Sequence, residues 1–166
     1  MPGPADVRVR PASSADRPAI WRILEPILRA GETYALPPDM GEAEALAYWC
    51  APGHETFVAE AAGEVLGTYY LRPNGRGGGA HVANAGYMTA AAAEGRGVAR
   101  AMAEHSLAHA RAGGYRAMQF NFVVATNERA IRLWRSLGFA VVGRLPGAFA
   151  HPGQGYVDAL VMFREL

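Results

Sequence analysis

The spacing of apolar residues changes several times along the chain, and each change marks an element. Val7 and Val9 alternate with Arg8 and Arg10 at the period of two expected of a short strand. Ser13-Ser14-Ala15-Asp16 then forms a helix-start signal, with Pro18 acceptable in a first turn. Ile20, Ile23, Leu24, Ile27 and Leu28 come next at helical spacing, and Pro26 is expected to kink or divide that helix. Residues Glu32 to Gly41, with Pro37-Pro38, read as a loop, and Glu42 to Trp49 as a second short helix.

Three strands are predicted next, over Thr56–Ala61, Val65–Leu71 and Ala80–Thr89. Ala62-Gly63 joins the first two in a tight hairpin, and the glycine-rich run Pro73 to Gly79 is a loop between the second and third. The chain then alternates. A helix from about Gly97 to Ala112 precedes a strand over Arg116–Val124, and a helix over Glu128–Leu137 precedes strands near Ala140–Arg144 and Val157–Phe163. The order βααβββαβαββ predicts a mixed α/β sheet of about seven strands flanked by helices. Nothing divides the chain, so residues 1–166 are expected to form one domain.

Composition narrows the function classes. A formal net charge of +1, with 19% charged residues, argues against a dedicated nucleic-acid binder. All sixteen basic residues are arginine. Cys50 is the single cysteine, which excludes an internal disulfide and a cysteine-rich zinc site. His105 and His109 have metal-pair spacing on one helix, but no third ligand is evident and no metal is expected. No apolar run approaches the roughly 18 residues of a membrane span, and Met1–Ala12 does not resemble a secretory signal, so a cytoplasmic location is expected.

The segment richest in chemistry is Ala90 to Arg100, which leaves a predicted strand and opens a helix. The first N–H groups of a helix lack internal partners and lie at the positive end of its dipole. Gly95 and Gly97 would let that backbone approach an anion closely, an arrangement suited to a pyrophosphate, with Arg96 and Arg100 adding charge-assisted contacts. A plain strand-to-helix turn explains this segment equally well when it is taken alone.

A second motif lies further along the chain, running from Asn127-Glu128-Arg129-Ala130 through Trp134 to Leu137-Gly138-Phe139. Taken with it, the glycine turn resembles the GNAT family of N-acetyltransferases. The family carries Gln or Arg, two residues, then Gly-x-Gly or Gly-x-Ala at the turn. This chain reads Glu94-Gly95-Arg96-Gly97-Val98-Ala99, departing at Glu94. The motif from Asn127 to Phe139 is similar to the family's second signature. The resemblance implies acetyl-CoA as cofactor, held by Met88, Thr89, Ala90, Gly95, Arg96, Gly97, Val98, Ala99, Arg100, Asn127 and Trp134. It also implies a backbone N–H near Met88 and Thr89 that polarises the thioester carbonyl.

Trp134 stands where many members place a tyrosine as general acid, and an indole cannot supply that proton near neutral pH. Tyr156 and Tyr87 are the alternative acids. Asn84 and Asn121, on the strands expected to line the opening, could position an amine or a water. His81 is either a base or a plain surface residue. The acceptor side is expected to include Glu32, Thr33, Tyr34 and His151. The expected acceptor is a small-molecule amine, and the family resemblance also suggests a homodimer. Acetylation of a peptide, or acyl-CoA binding without catalysis, stays open on the sequence.

Overall fold

The computed structural model describes residues 6–166. Seven strands form one mixed sheet in the order β1-β2-β3-β4-β5-β7-β6. β1 (Arg8–Pro11), β2 (Glu55–Ala61), β3 (Glu64–Pro73) and β4 (Val82–Thr89) make an antiparallel half. β5 (Ala117–Val124), β6 (Ala140–His151) and β7 (Gly155–Glu165) make a second antiparallel half, with β7 in its centre. The halves meet where β4 and β5 run parallel, and only Val82 with Ala117 and Ala83 with Met118 are paired. Beyond those two pairs the strands diverge.

Four helices flank the sheet: α1 (Arg17–Ala30), α2 (Glu42–Trp49), α3 (Val98–Ala112) and α4 (Glu128–Ser136). Two apolar clusters hold them. Ile20, Leu24 and Leu28 of α1 and Leu46 and Trp49 of α2 pack with Val58, Tyr70 and Met88. Val98, Met102 and Leu107 of α3 join Leu66, Tyr69, Met118, Phe120 and Trp134 in the other. Each helix thus buries one apolar stripe, as the spacing of its residues predicts.

Several elements differ from expectation. Ser14–Asp16 is a short 3-10 turn, and α1 starts at Arg17 with its proline in the first turn. α1 runs unbroken through Pro26, which lies exposed on its solvent side, where water can take the carbonyl that proline leaves unpaired. β4 begins at Val82, because Gly77–Gly79 coil into a 3-10 turn and leave Ala80 and His81 outside the strand. β6 extends well past Arg144, because Pro146 and Gly147 sit in a bulge between Leu145 and Phe149 rather than ending the strand.

Candidate active site

Divergence of β4 from β5 opens a cleft, and a cavity of about 240 Å³ lies along it. Its walls are Asn84 to Tyr87 of β4, Phe120 to Val124 of β5, Thr33 to Leu36 of the loop after α1, and Asn127, Ala130 and Trp134 of α4. Tyr48, Tyr70 and Arg72 close one end. Asn84 sits where the strands part and is buried. It accepts from Arg72 Nε at 3.1 Å and donates to the Gln119 carbonyl of β5 at 3.0 Å. Its amide therefore bridges the two halves of the sheet at the root of the cleft.

Strand alternation decides which backbone groups of β4 face this opening. Ala90 N–H donates to the Leu66 carbonyl and Asn74 N–H to the Val82 carbonyl. With Thr68 opposite Met88 and Tyr70 opposite Gly86, the even-numbered residues of β4 bond to β3. The N–H groups of Tyr87 and Thr89 point the other way, into the cleft. The expectation for Met88 is corrected accordingly: its N–H belongs to the ladder and its side chain is buried in the α1–α2 cluster. Ala90 N–H is taken in the same way. The Tyr87 N–H is the group that sequence reasoning missed, having weighed only the Tyr87 hydroxyl, since only the register reveals its direction.

The glycine turn comes next along the chain. Gly95 and Gly97 take φ of 74° and 78°, in the left-handed region, and nothing lies within 4 Å of where a Cβ would stand on either. The first bond into α3 runs from Ala101 N–H to the Gly97 carbonyl. The N–H groups of Val98, Ala99 and Arg100 therefore have no backbone partner among the described residues, and they form an open cradle at a helix N-terminus. This donor set fits the pyrophosphate of a CoA molecule. Arg96 is exposed beside it. Arg100 leans instead to Ser136 Oγ at 2.9 Å and Glu104 at 3.7 Å. Glu94 turns to Arg129 of α4 at 3.2 Å, so its charge is paired.

Asn127 caps α4 by accepting from Ala130 N–H at 3.4 Å. Trp134, 8% exposed, packs on Tyr87 and Phe120 with ring centroids 5.0 and 4.6 Å apart. Its indole is a wall of the cleft.

Four phenols line the cavity, and their protons can be followed. Tyr34 donates to the Tyr87 carbonyl at 2.8 Å. Ser106 donates to the Ala103 carbonyl, so Tyr87 must donate to Ser106 Oγ at 2.6 Å. Tyr48 and Tyr70 share one bond at 3.3 Å, which leaves that pair one free O–H. Burial raises the pKa of Tyr34, Tyr70 and Tyr87 above the ordinary phenol value, so all three stay protonated. Tyr70 lies across Gly86, where an added Cβ would come within 2.7 Å of its ring. His54 stacks on its other face at 4.2 Å. The His54 pKa is lowered by burial, with the nearby Arg72 guanidinium adding to the effect.

Among the other expected residues, Thr33, Tyr34, Asn84 and Asn121 come together around the cavity. Asn121 donates to Asn74 Oδ1 and accepts from Gln119. Glu32 is exposed and outside the lining. Tyr156 is 82% exposed, and His151, the last residue of β6, accepts from Gly153 N–H; neither reaches the cavity. The expected acid at Tyr156 is therefore not brought to the cleft. His81 lies with Glu55 and His109 at the opposite end of the β4–β5 junction. Among the described residues, no group of three or more His, Cys, Asp or Glu could hold a metal, and no helix is long and apolar enough to cross a membrane.

A parallel pair that splays beside a glycine cradle on a seven-stranded mixed sheet defines the class, and residues 18–139 match the acetyltransferase (GNAT) family. The chain belongs to that family, whose members are acyl-CoA-dependent acetyltransferases using acetyl-CoA.

It is similar to a GCN5-related N-acetyltransferase from Kribbella flavida, with 48% identity and a TM-score of 0.92 over 96% of this chain and 98% of that one. It shares its fold with yncA, a putative acetyltransferase from Salmonella typhimurium solved with its cofactor acetyl-CoA. That likeness has 24% identity and a TM-score of 0.84, over 96% and 94% of the two chains. N-acetyltransferase aca1 of Schizosaccharomyces pombe is 34% identical over 112 residues, 67% of this chain but 54% of that protein, so the match spans about half of the relative's length.

Proposed function

We propose that this chain transfers the acetyl group of acetyl-CoA to the amine of a small molecule, amino-acid-like or xenobiotic-like, by direct attack of the amine on the thioester. The observation that carries this reading is the cavity of about 240 Å³ along the cleft, on the scale of a small ligand. Tyr34 ties the loop after α1 to β4, so that this loop forms one wall of the cavity.

When bound, acetyl-CoA supplies a thioester-activated acetyl group. The cradle of Val98, Ala99 and Arg100 N–H groups binds the pyrophosphate, with Arg96 beside it. Asn127 and Trp134 flank the pantetheine side of the cleft. The N–H groups of Tyr87 and Thr89 would be the donors facing the thioester carbonyl. Among the described residues, Arg72 is the lone formally charged one lining the cavity, and no carboxylate or imidazole does so. A cation there disfavours an ammonium, so the amine attacks in its neutral form, and placement of the two reactants contributes much of the rate. The C–S bond can break without a proton from Trp134, because the departing thiolate takes up, through water, the proton that the amine nitrogen loses on becoming the amide.

Release of free thiol from acetyl-CoA, measured against a panel of small amines and of peptides, tests the reading. Turnover confined to small amines is expected. Turnover on peptides alone would overturn it, and CoA binding with no turnover on either would make the chain a binding module.

A further inference from the structure

The end of the cavity remote from the glycine turn is built around Arg72. On β3, Arg72 stands opposite Asn84 of β4. Its Nε–H is spent on Asn84 Oδ1 at 3.1 Å, and Asn84 is itself fixed to the Gln119 carbonyl. That bond is the single side-chain hydrogen bond Arg72 makes among the described residues, and none of the ion pairs they form includes it. An arginine is thus held in position by one nitrogen while the two Nη groups, which form the fork that binds oxyacids, are left without a protein partner. Around it the lining is neutral, made of Asn121 and the hydroxyls of Tyr48 and Tyr70.

We infer that the acceptor amine also carries an acidic group, a carboxylate or an oxyacid of similar geometry, and that Arg72 binds it. This rests on the small-amine reading above and names its substrate class. The acid anchors one end of the acceptor on the Nη fork, with the free O–H of the Tyr48–Tyr70 pair available as a further donor. Asn84 and Tyr87 are three residues apart on β4, roughly 10 Å. The guanidinium, the acceptor and the acyl carbon must share that span, which limits the acceptor to a few bonds between acid and amine, as in an α-amino acid. The same charge works against polycationic amines, which would bring a second cation to an unscreened guanidinium.

The test pairs acid-bearing amines with neutral counterparts: the L-amino acids against their carboxamides, and β-alanine and 2-aminoethanesulfonate against simple alkylamines. For the best pairs, kcat/KM of wild type is expected to favour the acid by roughly 10- to 100-fold, the range of a charge-assisted bidentate contact. In Arg72→Gln that ratio should fall towards one, mainly through KM for the acid, and Arg72→Lys should restore part of it. CoA affinity by calorimetry reports whether each variant is folded. A wild type that prefers the neutral members, or a ratio that survives in Arg72→Gln with CoA binding intact, overturns the inference while leaving the small-amine reading standing. Turnover of peptides and of no small amine overturns both.

Discussion

Gly97 holds a φ of 78° at the entry to α3, with open space where a side chain would begin. Gly97→Val would strain the backbone by about 1–3 kcal/mol and place a branched side chain in front of the cradle. CoA affinity should fall at least about 100-fold while the far-ultraviolet circular dichroism spectrum stays native. An unchanged affinity would refute the cradle. Trp134→Phe should cost less than about tenfold in kcat/KM if the indole only packs on Tyr87 and Phe120, whereas a large fall in kcat at constant CoA affinity would show that its N–H participates. The glycine turn and Asn127 were legible in the sequence because their chemistry is local: φ, a helix terminus and a cap depend on neighbours along the chain. The Tyr87 N–H and Arg72 were not. The direction of the Tyr87 N–H comes from strand register, and the position of Arg72 from a bond to a residue on another strand.

Among the elements, β1 and the turn after it are joined by Asp16. Its buried carboxylate accepts from both terminal nitrogens of Arg10 at 2.9 Å, from Ser13 N–H at 2.7 Å and from the Ser13 hydroxyl at 3.2 Å. The Arg10 guanidinium, above all, lowers the Asp16 pKa from 3.8 to about 2. A carboxyl held below its ordinary value stabilises the fold fully above about pH 4, and that contribution disappears as the pH falls through about 2. Asp16→Asn should therefore cost about 1–2 kcal/mol at neutral pH in denaturant titrations. The difference from wild type should shrink as the pH falls from 4 to 2, and a constant difference would refute the assignment.

Element types and their order were readable from periodicity, but the limits of β6 and the continuity of α1 were not. Pro146 and Gly147 normally end a strand, and here β7 supplies enough pairing on both sides of the bulge to carry β6 through. Pro26 lies within a helix whose apolar face is fixed by packing on α2 and β3, so tertiary contacts carry the helix through it and override the local preference.

At the scale of the whole molecule, the strand ladder between the two sheet halves is short: two residue pairs, the Arg116 N–H bond to the His81 carbonyl and the amide of Asn84 at the root of the cleft. That junction is a mechanical seam. A molecule lying between β4 and β5 would bond to N–H groups that no strand can reach, as a splint does across a fracture. Linkage then makes heat resistance a measure of occupancy: CoA at 100 times its Kd should add about 2.7 kcal/mol and raise Tm by roughly 5–10 °C. Amide exchange should slow most at Tyr87 and Thr89, the unpaired lip of the seam, and least in the β2–β3 hairpin. The divergence that opens the cleft is thus expected to make that line the first to exchange in the free protein, and bound CoA is expected to close it.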